Sequence, residues 1–286
     1  MSSSSDQSWD LIIKPNRAWW DIGLRDVWEY RDLLLLFVKR DIIAFYKQTV
    51  LGPVWFFLQP LFTMGVYLFV FGNLAGLSTA GLPGPIFYLV GITFWTYFSQ
   101  TLLKAANTLK ENETIFGKVY FPRIIMPLSV ILSNMFRLGI QLVLLLCVVI
   151  YYVFVGEFEF KFTWYFLLFP CLLFLLACQA FGLGLIVSAM TTKYRDLALL
   201  LAFGIQLLMY ATPVVYPLSS LQGSRMFDLV AVNPTSFLFE GIRYSLFQAG
   251  EFSSMFFLIS VLMTFVIVFS GVIIFNRVER NFVDTI

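Results

Sequence analysis

The chain has 286 residues, 59% of them apolar and only 13% charged, with a formal net charge of +2 and a mean hydropathy of +0.84. A soluble domain of this size needs more charge to keep large apolar patches out of water, so the composition excludes an ordinary soluble globule and points to burial in lipid. That net charge says little by itself, and no nucleic-acid partner is expected.

The chain opens with Met-Ser-Ser-Ser-Ser-Asp and lacks the basic region, apolar run and small-residue site of a secretory signal. Residues 1–16 read as a disordered cytoplasmic tail. Residues 17–50 mix Trp19, Trp20, Ile22, Trp28, Leu36 and Phe37 with Arg25, Asp26, Glu29, Asp32, Lys39 and Arg40. Their uncharged run, Leu33 to Val38, is too short to cross a membrane, so an amphipathic helix lying in the interface is expected, with a soluble helical hairpin as the alternative. From residue 51 to 286, six predominantly apolar runs reach the length of about 20 residues that crosses a hydrocarbon core about 30 Å thick. They cover Pro53 to Leu74, Ile86 to Thr108, Ile124 to Val155, Thr163 to Met190, Leu197 to Tyr216 and Met255 to Phe275. Between the fifth and sixth, Met226 to Val232 and Ser236 to Phe247 are apolar but short and are separated by Pro234. Helices that re-enter from the outer side would satisfy their backbone within protein. The expected fold is therefore all-α and membrane-integral: six transmembrane helices, preceded by an interface helix, with short re-entrant extracytoplasmic helices between spans five and six.

Flanking charge sets the orientation. Fifteen Lys and Arg sit before span one, after spans two and four and after span six, including Lys104, Lys110, Lys118, Lys193 and Arg277, against Lys161, Arg225 and Arg243 on the other side. The cation-rich side, with both termini, is expected to be cytoplasmic. Arg137 is left inside a span.

Several chemistries are missing. All 17 acidic residues fall outside the six spans, which argues against coupling to an ion gradient. Gly117-Lys118 is followed by Val119 and has no upstream glycine, so no phosphate-cradling loop is present. There is no histidine, and Cys147, Cys171 and Cys178 lie inside apolar stretches without metal-ligand spacing, so inert buried thiols and no metal site are expected. An enzyme would have to use Glu111 with Glu113, or Glu157 with Glu159, and both pairs read as solvated loop charge.

Two patterns remain. Asn134, Arg137 and Gln141 stand at i, i+3 and i+7 of span three beside Ser133, a polar stripe that must face protein or water and is either inter-helix glue or channel lining. Aromatic residues make up 19% of the chain. Tyr67, Trp95, Tyr97 and Tyr210 fall well inside spans, where a phenol or indole donor needs a partner. Either helix packing or the lining of a pore for sugars accounts for them.

Six strings, in order, are "FVKRDIIAFYKQTVLGPVWFFLQP" (Phe37 to Pro60), "IFGKVYFPRIIMPLSVILSN" (Ile115 to Asn134), "TTKYRDL" (Thr191 to Leu197), "TPVVYPLS" (Thr212 to Ser219), "VNPTSF" (Val232 to Phe237) and "RVERNFVDTI" (Arg277 to Ile286). Together they resemble the permease subunits of bacterial O-antigen, capsule and teichoic-acid exporters, in the type 2 branch of ABC transporter membrane proteins.

That resemblance implies a non-catalytic, multi-pass homodimer in the bacterial cytoplasmic (inner) membrane, enclosing a channel and joined to two copies of a separate ABC ATPase that holds ATP and magnesium, with no cofactor in this chain. The cargo it implies is a polysaccharide on undecaprenyl diphosphate. Thr108 to Arg123 resembles the coupling helix that docks on the ATPase, with Thr108, Glu111, Asn112, Glu113, Lys118, Tyr120 and Arg123 as contacts; Thr108 and Glu111 also match a capping box. Tyr194, Arg195 and Asp196 resemble a second contact. Lys39, Arg40, Tyr46, Lys47 and Gln48 would attract the substrate headgroup at its lateral access, or serve only as a positive-inside anchor. Tyr216, at the outer end of span five, joins Tyr67, Trp95, Tyr97, Asn134, Arg137, Gln141 and Tyr210 as expected channel lining. A lipid or drug exporter of the same superfamily, or a polytopic glycosyl- or acyltransferase, are the alternatives.

Overall fold

The computed structural model describes residues 24–47, 52–116, 118–119, 121–193, 196–250 and 252–282. The expected tail 1–16, residues 17–23, Gln48, Tyr120, Tyr194, Arg195 and the side chain of Tyr46 lie outside the described residues.

Among the described residues every regular element is helical. Helices α1 (Leu24–Glu29) and α2 (Arg31–Lys47) are nearly continuous, since the Tyr30 N–H donates to Asp26 O and the Leu34 N–H to Tyr30 O at 2.9 and 3.0 Å. Phe37 buries one face of α2 against Phe121, Ile125 and Met126, with ring centroids of Phe37 and Phe121 5.7 Å apart. On the other side Trp28, Leu35 and Leu36 are exposed. An apolar outer edge flanked by charges suits the membrane interface.

Among the described residues, five helices are long and apolar enough to cross a membrane. The first is α3 (Trp55–Tyr67), prolonged through a π-helical stretch to Leu74. Next come α4 (Gly84–Glu111), α6 (Ile125–Val155), α7 (Leu168–Lys193, entered through a turn that starts at Trp164) and α11 (Ser254–Phe282). The α4 helix is the hub, with most residues from Ile86 to Leu109 buried, and it packs against α3, α6, α7, α8 (Leu197–Tyr210) and α10 (Pro234–Phe247). By contrast α3 rides on the edge, with Pro60 its only buried residue.

The fifth expected span differs. Helix α8 (Leu197–Tyr210) has 14 residues, about 21 Å at 1.5 Å per residue, short of a core about 30 Å thick. Pro213 has no N–H to continue it, and the chain instead folds Thr212, Val214 and Val215 into the bundle as a buried non-helical segment. Two short helices follow. Helix α9 (Arg225–Val232) is capped by the Ser224 hydroxyl, which accepts from the Met226 N–H at 3.2 Å. Helix α10 (Pro234–Phe247) is capped by Asn233 Oδ1, which accepts from the Thr235 N–H at 3.0 Å. Only α10 sinks into the interior, between α7, α11 and α4. Met226, Leu229 and Val232 of α9 stay exposed, so that segment does not insert between the long helices as expected.

Small residues and a few polar bonds hold the bundle, because between apolar helices close backbone approach and interhelical hydrogen bonds replace the hydrophobic drive. A Cβ on Gly271 would stand 2.6 Å from the Gly182 carbonyl oxygen, so α7 and α11 cross backbone to backbone there. Gln179 Nε2 donates to Thr264 Oγ1 at 2.9 Å across the same pair of helices, and Thr191 Oγ1 of α7 donates to Ala106 O of α4 at 3.1 Å. The cysteines are not core residues: Cys147 and Cys171 are exposed on the bundle surface and Cys178 is partly so.

Candidate functional site

Three places combine polar chemistry with shape: a pair of cavities along α3, the loop between α4 and α6, and a buried ion pair on α10.

The larger cavity has a volume of about 300 Å³ and runs between Gly52 to Gln59 on the α3 side, α4 and α6. A smaller one of about 160 Å³ lies beyond it, bounded by α3, α4, Met209 of α8 and Val214. The two share Gln59, Thr96 and Gln141. Six of the eight residues expected to line a channel meet here, Tyr67 and Trp95 in the smaller cavity, Tyr97, Asn134 and Arg137 in the larger and Gln141 in both. The stripe on α6 both reaches neighbouring helices and borders these cavities. Asn134 Nδ2 donates to Thr101 Oγ1 on α4 at 3.1 Å, and the Arg137 guanidinium lies 5.9 Å from the Phe56 ring centroid on α3. The Tyr67 hydroxyl donates to Met209 Sδ at 3.4 Å, tying α3 to α8. The buried Tyr97 hydroxyl has no hydrogen-bond partner among the described residues.

Tyr210 and Tyr216 do not join them. Tyr210 is 55% exposed on the outer face of α8, and the Tyr216 hydroxyl donates to the Tyr210 carbonyl at 2.8 Å, because α8 ends before Tyr216 and turns that residue away. Lys104, assigned by sequence to a loop, stands inside α4 and lines the larger cavity. Thr96, Gln100 and Lys104 recur at i, i+4 and i+8 on one face of α4. The helical-period pattern that singled out the α6 stripe therefore marks them equally well.

At the basic end, α4 continues to Glu111 and the chain reverses through the single turn α5 (Glu113–Phe116). The capping box read from Thr108 and Glu111 does not form. Thr108 is buried inside α4 with its hydroxyl donating to Ala105 O, and Asn112 closes the helix by donating from Nδ2 to Thr108 O at 2.9 Å. Arg123 likewise turns inward over the Phe116 ring at 5.4 Å. Glu111, Glu113 and Lys118 are exposed, as is Asp196 at the start of α8, and α2 packs beside this loop through Leu33, Leu34 and Phe37. On α2, Lys39, Arg40 and Lys47 are exposed, and Arg40 pairs with Asp41 at 2.9 Å. The end of α2 abuts Gly52–Val54, at the edge of the larger cavity.

The third feature was not legible as a site. Arg243, counted by sequence among outer-surface cations, is fully buried on α10 together with Glu240. Glu240 Oε1 accepts from the Leu218 N–H at 2.6 Å and faces Arg243 Nη1 at 3.4 Å, while Arg243 Nη2 donates to Val214 O at 2.6 Å. The guanidinium also stacks over Phe87 at 4.2 Å. The pair thus clamps the non-helical segment after α8 onto α10 and α4. Although Glu240 lies outside the six expected spans, the fold brings this carboxylate into the interior paired with its own cation.

Comparison with known proteins agrees with this architecture. Residues 32–247 match the family described as ABC-2 type transporter. The O-antigen export system permease protein RfbA of Myxococcus xanthus is 31% identical over 213 residues, covering 74% of this chain and 78% of that protein. A protein of the same name from Klebsiella pneumoniae is 25% identical over 253 residues, 88% of this chain and 94% of its own length.

Proposed function

Because the chain belongs to the ABC-2 type transporter family, we propose that it is the permease subunit of an exporter that moves an O-antigen-like polysaccharide, held on undecaprenyl diphosphate, across the bacterial inner membrane. The observation that carries the cargo class is the pair of adjoining cavities, where Tyr67, Trp95 and Tyr97 stand among Gln59, Thr96 and Gln141 and, among the described residues, no carboxylate lines either wall. Ring faces stack on the apolar faces of pyranoses, and amides and hydroxyls exchange hydrogen bonds with sugar hydroxyls without holding them by charge.

In this reading two copies of the chain form the conduit in the lipid bilayer, with both termini in the cytoplasm. Energy comes from two copies of a separate ATPase, because the sequence offers no nucleotide loop of its own. ATP and magnesium stay with that partner, and this chain catalyses no reaction. The exposed Glu111, Glu113 and Lys118, with Asn112, form the contact that receives the ATPase stroke; Asp196 and its neighbours Tyr194 and Arg195 form the second, and Tyr120 belongs to the first. Thr108 and Arg123, turned inward, hold that loop rather than touch the partner. Lys39, Arg40 and Lys47, with Tyr46 and Gln48, gather the anionic headgroup beside the cavity.

Deleting the gene in a producing strain should leave lipid-linked glycan on the cytoplasmic side, and the wild-type gene should restore display. Normal surface glycan in the deletion strain overturns the reading.

A further inference from the structure

Lys104 of α4 and Arg137 of α6 line the larger cavity, and among the described residues no carboxylate lines it with them. Cations packed within a membrane bundle need a negative counterpart, and here it comes from outside the cavity wall. Helix α2 packs along α6 and ends against Gly52–Val54, where that wall begins. Phe37 sets which face of α2 looks inward, since it is buried against Phe121, Ile125 and Met126. Asp41 stands one turn further along that face. Its side chain is 23% exposed against 43% for Arg40, with which it pairs at 2.9 Å. The Asp41 carboxylate acts on both Arg137 and Lys104, and Lys104 is reached as well by Glu111 at the end of its own helix. Arg137 lies about three turns beyond Ile125 on α6, but helical side chains lean toward the N-terminus of their helix. On α6 that is the end beside Phe37.

We infer that Asp41 is a positioning residue for the cavity: acting through Arg137 and Lys104, it supplies their counter-charge from α2 and so keeps the cavity a site for uncharged sugar. The wall then meets its occupant with amides and a hydroxyl, those of Gln59, Thr96, Gln100 and Gln141. Without Asp41 the same wall would recruit another anion, because a guanidinium fork and an ammonium both suit phosphoryl oxygens. The preference for sugar rests on the export reading; the counter-ion role does not.

The test is calorimetric titration of the permease, copurified with its ATPase in phosphatidylcholine nanodiscs, with farnesyl diphosphate as the probe and farnesol as its uncharged counterpart. Asp41→Asn should raise the affinity for the diphosphate tenfold or more and leave farnesol unchanged, while Asp41→Glu should behave as wild type. Adding Arg137→Gln to Asp41→Asn should cancel most of the rise. Measured against Arg40→Gln alone, Asp41→Asn should still raise it, which separates the cavity cations from the pair at the surface of α2. No rise in Asp41→Asn, an equal rise for farnesol, or a rise that Arg40→Gln abolishes and Arg137→Gln does not overturns the inference. Should Asp41→Asn fail to fold, the double variant Asp41→Asn with Arg137→Gln decides: recovery of the fold supports the counter-ion role, and failure of both overturns it. These results are separate from the glycan-display test. If display needs the gene but Asp41→Asn titrates as wild type, only this inference fails; if display does not need the gene, the export reading fails while the titration stands.

Discussion

Glu240 and Arg243 sit three residues apart on α10, and both are removed from solvent. Taking two ions out of water is costly, and the cost is met here by mutual attraction, two backbone partners and the Phe87 ring. Removing one member leaves the other uncompensated, so Glu240→Ala should destabilise the solubilised protein by roughly 3–5 kcal/mol, read as a fall in melting temperature. Glu240→Leu combined with Arg243→Met should fall much less, because no charge is left stranded; an additive loss would show that the pair does not act as a unit. No sequence pattern announced this pair, since i, i+3 charges on a short helix ordinarily read as a solvated face. The α6 stripe was legible for the opposite reason: Asn134, Arg137 and Gln141 break an otherwise apolar run.

Among the elements, α7 and α11 show how packing is decided by the smallest residues. With Gly271 against the Gly182 carbonyl, any added carbon must push the helices apart. Gly271→Val should therefore lower stability by about 1–3 kcal/mol through overpacking, despite removing a glycine from a helix, and thermal unfolding in detergent checks the sign. An unchanged or raised melting temperature would mean that the crossing yields. The end of α8 is the element whose extent sequence misjudged. The run Leu197 to Tyr216 has the composition of a span, but Pro213 and the clamp on Val214 and Leu218 take its last residues out of the helix. The α4 to α5 reversal was misjudged likewise, as a capping box describes only local competition and α4 is held helical past Thr108 by burial against its neighbours.

For the whole molecule, the asymmetry of charge sharpens once Arg243 is removed from the outer face, leaving Lys161 and Arg225 opposite the basic end. Both Lys118 and Lys161 are exposed. In a background lacking Cys147, Cys171 and Cys178, Lys161→Cys should label with an impermeant maleimide in intact spheroplasts, and Lys118→Cys only after lysis. The reverse pattern would invert the topology and remove the ATPase contact. Sequence by itself determined that this is a membrane protein of long apolar helices with one basic end. A bilayer imposes length and composition on each run of about 20 residues independently, so that information is local. Tertiary structure alone decided that residues of α3, α4 and α6 enclose two adjoining cavities, that Lys104 belongs to one of them, that Tyr210 and Tyr216 do not, and that Glu240 meets Arg243 inside. Those outcomes depend on helix crossings set by close-packed neighbours far apart in the chain, which no window along the sequence contains.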